Sequence, residues 1–478
     1  MRTSSQTAFL SNLEFIIKTL KKDVKANKPM KVVIIGNNVA GTFTAQNLRF
    51  LSEDLEIEIY TQEIYPYYTR INLPEVISGK KTIQDLIVFD EEWYKSKSLK
   101  LYLDHKAERI DLENKIVYFS NNNKSARYDK LILALGSTPN IPPINKAVEM
   151  KNNKQGVFTL RSIEDAFEIK NYIASIPNQK AIIIGGGLLG LELANQIKDT
   201  NLKTTVVEFF PRLLPRQLDE ECGKMLKDEI EKRGIEVVLD ATTQEILGNS
   251  KVTGIKLKDG HQLDAGIVLI QAGINPTIDL AKNVGIKTNK GIIVNEYLET
   301  SEHDIYAVGD CIEYNNQIWG IIPACMEQSK IIAASIIGAK TKEYEGTTPK
   351  NTLKIVGLDL TSIGIINPVE EEAGSWDILK KSDVKDCCYQ KIILKDNKLK
   401  GAILFGENKA VSYVYKKMEE EVNKEELREL LDLHIYECDK CGNQYDEAKM
   451  AIPFDELPND YKCSNCGASK EHFQKKLV

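Results

Sequence analysis

Nine cysteines run through this 478-residue chain, and four of them form two C-x-x-C pairs, Cys438/Cys441 and Cys463/Cys466. Twenty-one residues separate the pairs. Two short knuckles of this kind bring four thiolates to one point, the tetrahedral S4 cage that zinc and iron both accept. Gly442 and Gly467 follow the second cysteine of each pair. A glycine there lets the loop fold back so that backbone N–H groups point at sulfur and tune the metal. Zinc would make the site structural, and iron would let it carry single electrons. Spacing alone favours zinc. The other five cysteines, Cys222, Cys311, Cys325, Cys387 and Cys388, form no C-x-x-C or C-x4-C pair. Each reads as a small buried apolar residue, Cys222 on a helix and Cys387–Cys388 on a strand.

Glycines mark a second chemistry. KVVIIGNNVAG starts at Lys31 and AIIIGGGLLGLE at Ala181, about 150 residues apart. Each is an apolar, β-branched strand running into glycines and then a helical pattern, the context of a dinucleotide-binding turn. The first glycine allows the tight turn, the second lets a pyrophosphate approach, and the third lets helix and strand pack. Gly185, Gly187 and Gly190 fill all three places in the second copy. In the first, Gly36 and Gly41 flank Asn38, which is tolerated because asparagine adopts unusual backbone angles better than most residues. Glu208 ends the next strand, 23 residues after Gly185. A carboxylate there accepts from a ribose 2′-OH and repels a 2′-phosphate, so NADH is expected over NADPH. Arg212, four residues on, softens that preference.

These residues need several domains to hold them, and 478 residues suit about three. A net charge of −6 and a pI near 5.7 argue against a nucleic-acid surface. No run of 18 apolar residues suggests a membrane span. Leu10, Leu13, Ile16, Ile17, Leu20 and Val24 predict one helix over residues 1–29, docked on the body, with a membrane-surface or partner helix as the alternative; Glu14, Lys18, Lys21 and Lys22 argue against a signal peptide, and the free thiols suit a reducing cytoplasm. His105, His261 and His303 are isolated, and no Ser–His–Asp set is visible. Residues 411–435 are charged, helix-favouring and free of Gly and Pro, and predict a linker helix of about 30 Å.

DKLILALGSTP, ending in Gly136 and Pro139, and TSEHDIYAVGDC, ending in Gly309, Asp310 and Cys311, complete a pattern with the two glycine loops. Together they resemble the pyridine-nucleotide-dependent flavoprotein reductases, of the NADH–rubredoxin reductase and nitrite-reductase flavin-domain type. EFFPRLLPRQLDEE, from Glu208, echoes that branch. The resemblance covers Lys31 to about Gly406. It implies an α/β chain with two Rossmann-like dinucleotide-binding domains and a small α+β C-terminal domain. FAD would lie on residues 30–148 and 270–345, NADH on 149–269, and the small domain would span 346–410. For FAD it implies Gly36, Asn38, Gly41, Gly136 and Gly309. Asp310 would meet the ribityl chain, Glu63 beside Gln62 the adenosine ribose, and Arg70 the flavin side. Glu327 and Lys354 match flavin-edge segments. Glu192 is an orienting residue for nicotinamide or, equally, a first-turn helix acid favoured by the dipole.

Disulfide reductases of this family need a C-x4-C beside the flavin, and its oxidases and peroxidases a single reactive cysteine. This chain has no cysteine before Cys222. The tail, residues 436–478, resembles rubredoxin with a shortened loop: Tyr445–Asp446, Phe454, LPNDYKC and CGASKEHF all match. Tyr445, Phe454, Tyr461 and Phe473 would form its core. Asn443 stands where an aromatic is usual and Tyr461 where Trp is. In a host that reduces rubredoxin, one iron in Fe(Cys)4 is expected over zinc. The implied path is NADH to FAD to iron to an external redox protein, a diiron protein by resemblance. Two other readings stand beside it: a flavin reductase whose tail holds zinc and docks an acceptor, and a nucleotide-sensing flavoprotein with negligible turnover. The small domain often pairs subunits in this family, so a homo-oligomer is implied.

Overall fold

The computed structural model describes residues 29–120, 124–340, 342–355, 357–368, 376–383, 386–406, 409–450 and 452–476. The helix expected over residues 1–29 lies, up to residue 28, outside the described residues. The chain divides into two compact units.

The first unit runs to Arg70 and adds Ile83–Thr138 and Ile274–Thr347. Its centre is a five-stranded sheet in the order Ile305–Ala307, Lys130–Leu133, Lys31–Ile35, Glu56–Tyr60, Leu99–Tyr102. Every pairing is parallel. Parallel strands are covered on both faces, so they read as near-continuous apolar runs; Val32, Val33, Ile34, Leu131, Ile132 and Leu133 are all fully buried. Helix Val39–Leu51 packs with helix Ile322–Ile336, where Asn47 Nδ2 donates to Ser329 Oγ at 3.0 Å. An antiparallel meander, Ala107–Asp111, Ile116–Phe119 and Ser125–Arg127, is inserted before the strand Lys130–Leu133.

The second unit comprises Ile71–Thr82, Pro139–Gly273 and Thr348–Val478. It repeats the plan with Ile235–Val238, Lys203–Val207, Lys180–Ile184, Ile267–Ile270 and Val157–Phe158, again all parallel. It carries its own meander, Thr243–Leu247, Gly254–Leu257 and Gln262–Asp264. A five-stranded antiparallel sheet follows, ordered Lys350–Ile355, Leu358–Gly364, Lys398–Phe405, Cys388–Lys395, Trp376–Asp383. The chain then forms a three-stranded sheet with Ile435–Cys438 at its centre, flanked by Gln444–Asp446 and Phe473–Lys475. This is the expected α/β plan with a small α+β domain and a rubredoxin-like module.

Two local expectations change. The single linker helix over 411–435 is instead two short helices, Val411–Lys417 and Lys424–Leu431. Glu419 takes φ +67° between them, a left-handed angle that ends a helix, and Asn423 caps the second by accepting from Glu425 N–H. Their apolar faces lie in the core: Val414, Leu427 and Leu431 pack with Ile363, Leu379, Leu394 and Leu404 of the antiparallel sheet. The helices supply the α part of the small domain. Cys387 and Cys388 are half-buried rather than core; Cys387 lies in a turn at φ +51°, before the strand that Cys388 begins.

Candidate functional site

In the first glycine loop, a Cβ on Gly36 would lie 2.1 Å from the Ala134 carbonyl oxygen, and one on Gly41 would lie 1.9 Å from the Gly36 carbonyl oxygen. Gly36 also has φ +114°. Both are therefore fixed by strand–helix packing alone. Asn38 is tolerated for a different reason from the one expected, because its angles, φ −108° and ψ −164°, are ordinary. It is the N-cap of helix Val39–Leu51, and its Oδ1 accepts from Val39 N–H at 2.8 Å. Beside it the buried Asn37 accepts from Thr42 Oγ1 at 3.1 Å and from Tyr94 Oη at 2.9 Å.

Three strand ends of this sheet meet at its carboxyl edge, the place where open α/β sheets bind ligands. Gly136, at φ +68°, borders open space, since a Cβ there would have no neighbour within 4 Å. Ser137 Oγ donates to Asp310 Oδ2 at 2.9 Å, joining two of the three ends. Gly309, at φ +87°, approaches Ala40 so closely that a Cβ would lie 2.7 Å from the Ala40 Cβ. Its N–H donates 2.9 Å to Oε1 of Gln328, a residue that sequence reasoning missed. The one available signal was a glutamine among the small and apolar residues on the inner face of helix Ile322–Ile336. Gln328 passes the contact on: its Nε2 donates to Tyr344 Oη (3.0 Å), which shares a hydrogen bond with Thr347 Oγ1 (2.9 Å), which donates to exposed Glu327 (2.6 Å).

Gln62 is exposed just past the second strand. Glu63 and Arg70 are implied at opposite ends of one cofactor, but the structure brings them together as an ion pair. The segment between them folds back, and the Arg70 guanidinium also lies 5.8 Å from the Tyr68 ring centroid.

The second loop repeats the first at its ends. A Cβ on Gly185 would lie 2.3 Å from the Gln271 carbonyl oxygen, and one on Gly190 would lie 2.0 Å from that of Gly185. Gly187 is open: a Cβ there would meet nothing within 4 Å. Buried Glu208 braces the loop, accepting from Gly186 N–H at 2.5 Å and Phe210 N–H at 2.9 Å. Arg212 is turned to its own backbone, donating to the carbonyls of Leu218 (3.2 Å) and Pro215 (3.3 Å). Glu192 is the fifth residue of helix Leu188–Lys198, and no acid occupies its first turn. The dipole explanation for Glu192 falls with that position, since the effect fades beyond the first turn. Lys354 lies on strand Lys350–Ile355 opposite Asp359.

Buried donors without a partner among the described residues include Asn37 Nδ2 and Arg70 Nε in the first unit, and Gln271 Nε2 and Trp376 Nε1 in the second. Such donors are costly unless an acceptor arrives, and the oxygens of a dinucleotide are acceptors. Open Gly187 and the free N–H groups at the start of its helix fit a pyrophosphate. Two of the chain's other thiols are held as neutral groups. Burial pushes the Cys311 thiol up to about 11 and the Cys222 thiol well above its usual value.

The four cysteine sulfurs of the tail lie within 4.8 Å of one another. Cys438 and Cys466 are 3.7 Å apart, as are Cys441 and Cys463. A tetrahedron with metal–sulfur bonds of about 2.3 Å has edges of about 3.8 Å, so the set fits a bound metal. Both knuckle glycines take the left-handed angle, Gly442 at φ +71° and Gly467 at φ +73°. Burial works against the Cys463 thiolate, yet the N–H groups of Cys466 and Asn465 and the neighbouring thiols bring its pKa down to about 6. Ala468 N–H favours a thiolate at Cys466, but crowding by Cys441, Cys463 and Cys438 pushes it up to about 12. Thiolates held this close repel one another, and a metal cation between them relieves that repulsion.

The module's core holds the four expected aromatics and adds Tyr436, stacked on Phe454 with centroids 4.1 Å apart. Nor is the module loosely tethered. Arg428 grips Asp446 with two hydrogen bonds of 2.7 and 2.8 Å, and Ala448 is buried in the small domain's core. Glu447 accepts from His434 N–H at 2.7 Å and Phe454 N–H at 2.9 Å, stitching the module's entry to its loop.

Two parallel sheets, each opened by a glycine loop, followed by a small antiparallel domain, have the fold of the FAD- and NAD(P)-linked oxidoreductases. The chain belongs to the pyridine nucleotide-disulphide oxidoreductase family, which residues 30–329 match. Residues 349–422 match the rubredoxin NAD+ reductase C-terminal domain. The nitrite reductase [NAD(P)H] of Bacillus subtilis is 36% identical over 394 residues, covering 82% of this chain and 48% of that protein. The chain thus spans about half the length of the nitrite reductases it matches. The NADH-rubredoxin oxidoreductase of Clostridium acetobutylicum is 30% identical over 380 residues, covering 80% of this chain and 92% of that protein. The solved structure of NADH:rubredoxin oxidoreductase from that organism superimposes with a TM-score of 0.63 at 29% identity, covering 81% of this chain and 94% of that one. Among the described residues no helix is long and apolar enough to cross a membrane.

Proposed function

We propose that this chain takes electrons from NADH and passes them, by way of FAD, to an iron centre in its own tail and then to an external redox protein. The observation that carries this reading is the Cys438, Cys441, Cys463, Cys466 set, poised for a metal in a chain whose first 221 residues hold no cysteine. FAD would accept a hydride from NADH and give electrons up singly, and iron between four thiolates would carry them one at a time.

In this reading residues 30–148 and 270–345 hold FAD, 149–269 hold NADH, and 346–410 with the helices after them seat residues 436–478. Gly36 and Gly41 let the first loop turn, and Asn38 fixes the start of its helix. Gly136, Gly309 and Asp310 form the floor at the sheet edge. Glu63 and Arg70 act as one paired group, with Gln62 beside them. Gly187 and the helix behind it receive the NADH pyrophosphate, and Gly185 and Gly190 give the loop its shape. Glu208 keeps lone pairs for the ribose hydroxyls, and its charge, with Arg212 engaged by backbone, favours NADH over NADPH. Glu327, Lys354 and Glu192 are assigned near the reacting ring. The acceptor is a protein of the rubredoxin-linked kind, a diiron protein among them, in the cytoplasm.

Metal analysis and anaerobic stopped-flow spectroscopy test the reading. The expected result is one iron per chain, flavin bleaching on mixing with NADH, then bleaching of the iron–thiolate band in the same chain. Zinc in place of iron, or an iron band untouched by NADH, would sink it.

A further inference from the structure

Asn443 is the residue at which the tail departs from the aromatic expected there, and its surroundings give it a task. It follows Gly442 in the first knuckle, and its main chain is held because Cys438 N–H donates to its carbonyl at 2.9 Å. Its half-buried side chain crosses to the second knuckle. There Nδ2 lies 3.6 Å from Cys463 Sγ and 3.3 Å from Ser464 Oγ. One amide has two hydrogens, so it can serve both acceptors at once.

We propose that Asn443 is a positioning residue of the metal centre, whose side-chain N–H, donated across the knuckles to the Cys463 sulfur, draws electron density from that ligand and favours the reduced metal. Cys463 is the sulfur this amide reaches, and it is only 3% exposed while Cys466 is open to solvent. At a sulfur screened from water, an N–H dipole aimed at the thiolate is felt by the metal, and hydrogen bonds to sulfur are among the main determinants of such potentials. A phenyl or phenol ring at this position has no N–H to aim there. The inference rests on the four thiolates binding a metal, and not on which metal the chain carries.

The test uses the full chain with Asn443→Leu, which removes the donor, and Asn443→Asp, which keeps the shape but reverses the polarity. Each is loaded with Co(II) alone and read as a difference spectrum against the zinc-loaded protein, which cancels the flavin. The sulfur-to-cobalt charge-transfer band should move to longer wavelength in Asn443→Leu and further in Asn443→Asp. In the iron-loaded protein, the reduction equilibrium of Asn443→Leu should fall about tenfold, about 59 mV for one electron. Unchanged bands and potentials in both variants would overturn the proposal. So would loss of metal from both, which would make Asn443 a structural cross-link. Native zinc would end the iron reading above and leave the cobalt shifts as a valid test.

Discussion

The two glycine loops share a plan and differ at one place. In both, the outer glycines, Gly36 and Gly41 or Gly185 and Gly190, sit where a Cβ would lie about 2 Å from a backbone oxygen. At the middle place the loops part. Asn38 uses its side chain to cap a helix, whereas Gly187 leaves open space. The outer glycines therefore report how a strand meets a helix, and only the middle residue reports what the loop has room for. A fingerprint missing its middle glycine keeps its fold.

The largest effect should come from breaking an outer position. Gly185→Ala places a Cβ 2.3 Å from the Gln271 carbonyl, in a backbone with φ +115° that L-residues rarely adopt. Neither the oxygen nor the angle can relax cheaply, so a loss of more than about 3 kcal/mol is expected. Urea unfolding should show it, with the Pro139–Gly273 segment becoming sensitive to protease first.

The Arg428–Asp446 clamp comes next, and it sets a side-chain contact against those backbone ones. Arg428 and Asp446 are only 12% and 15% exposed, so Arg428→Met leaves the carboxylate with the Ala448 N–H and a solvent-exposed lysine, Lys449, 3.7 Å away. About 2–3 kcal/mol should be lost in urea melts of the protein loaded with Co(II), followed at its sulfur-to-cobalt band. Burial alone would raise the pKa of Asp446, but Arg428 more than offsets it and holds it below its usual value. A depressed carboxylate stabilises the fold above its unfolded pKa of about 4 and loses that contribution as pH falls through the lower folded value. The difference between wild type and variant should thus persist at neutral pH and vanish in acid.

What the sequence made legible follows the same division between backbone and side chain. The glycine turns and the cysteine knuckles were readable because a backbone constraint or a ligand spacing is local, and a local rule leaves a local pattern. Both parallel sheets followed from the apolar strands those turns anchor. Long-range partners left no such mark. Glu63 and Arg70 meet because the chain folds back between them, and nothing in seven residues of spacing announces it. Gln328 meets Gly309 from another element. The tail helices misled because their charge is conspicuous and their buried side, Val414, Leu427 and Leu431, is narrow. Tyr436 joined the aromatic core unannounced because strand pairing places it opposite Tyr445.

Gly187→Ala probes the open middle position. Its φ of −81° suits any residue and its Cβ would touch no protein atom, so stability should change by no more than about 0.5 kcal/mol. The methyl group would stand where the pyrophosphate approaches, so KM for NADH should rise about tenfold in steady-state assays, a cost near 1.4 kcal/mol. An unchanged KM would mean that the ligand keeps clear of this turn.

Asn38 should show the reverse separation, at the smallest scale. Asn38→Ala removes the acceptor of Val39 N–H and should cost about 1 kcal/mol of stability in urea, while Asn38→Gly should cost only a few tenths. Neither should weaken FAD binding, measured as flavin fluorescence on reconstituting the stripped protein, because each frees a helix N–H that the asparagine now occupies. If both variants lose FAD in step with Gly187→Ala losing NADH, the middle residues of the two loops do one job, and the contrast between them is only one of side-chain size. If stability alone moves at Asn38 and affinity alone at Gly187, the first loop holds its dinucleotide from a different set of donors, and Asn37 Nδ2, buried there without a partner, is the first to examine.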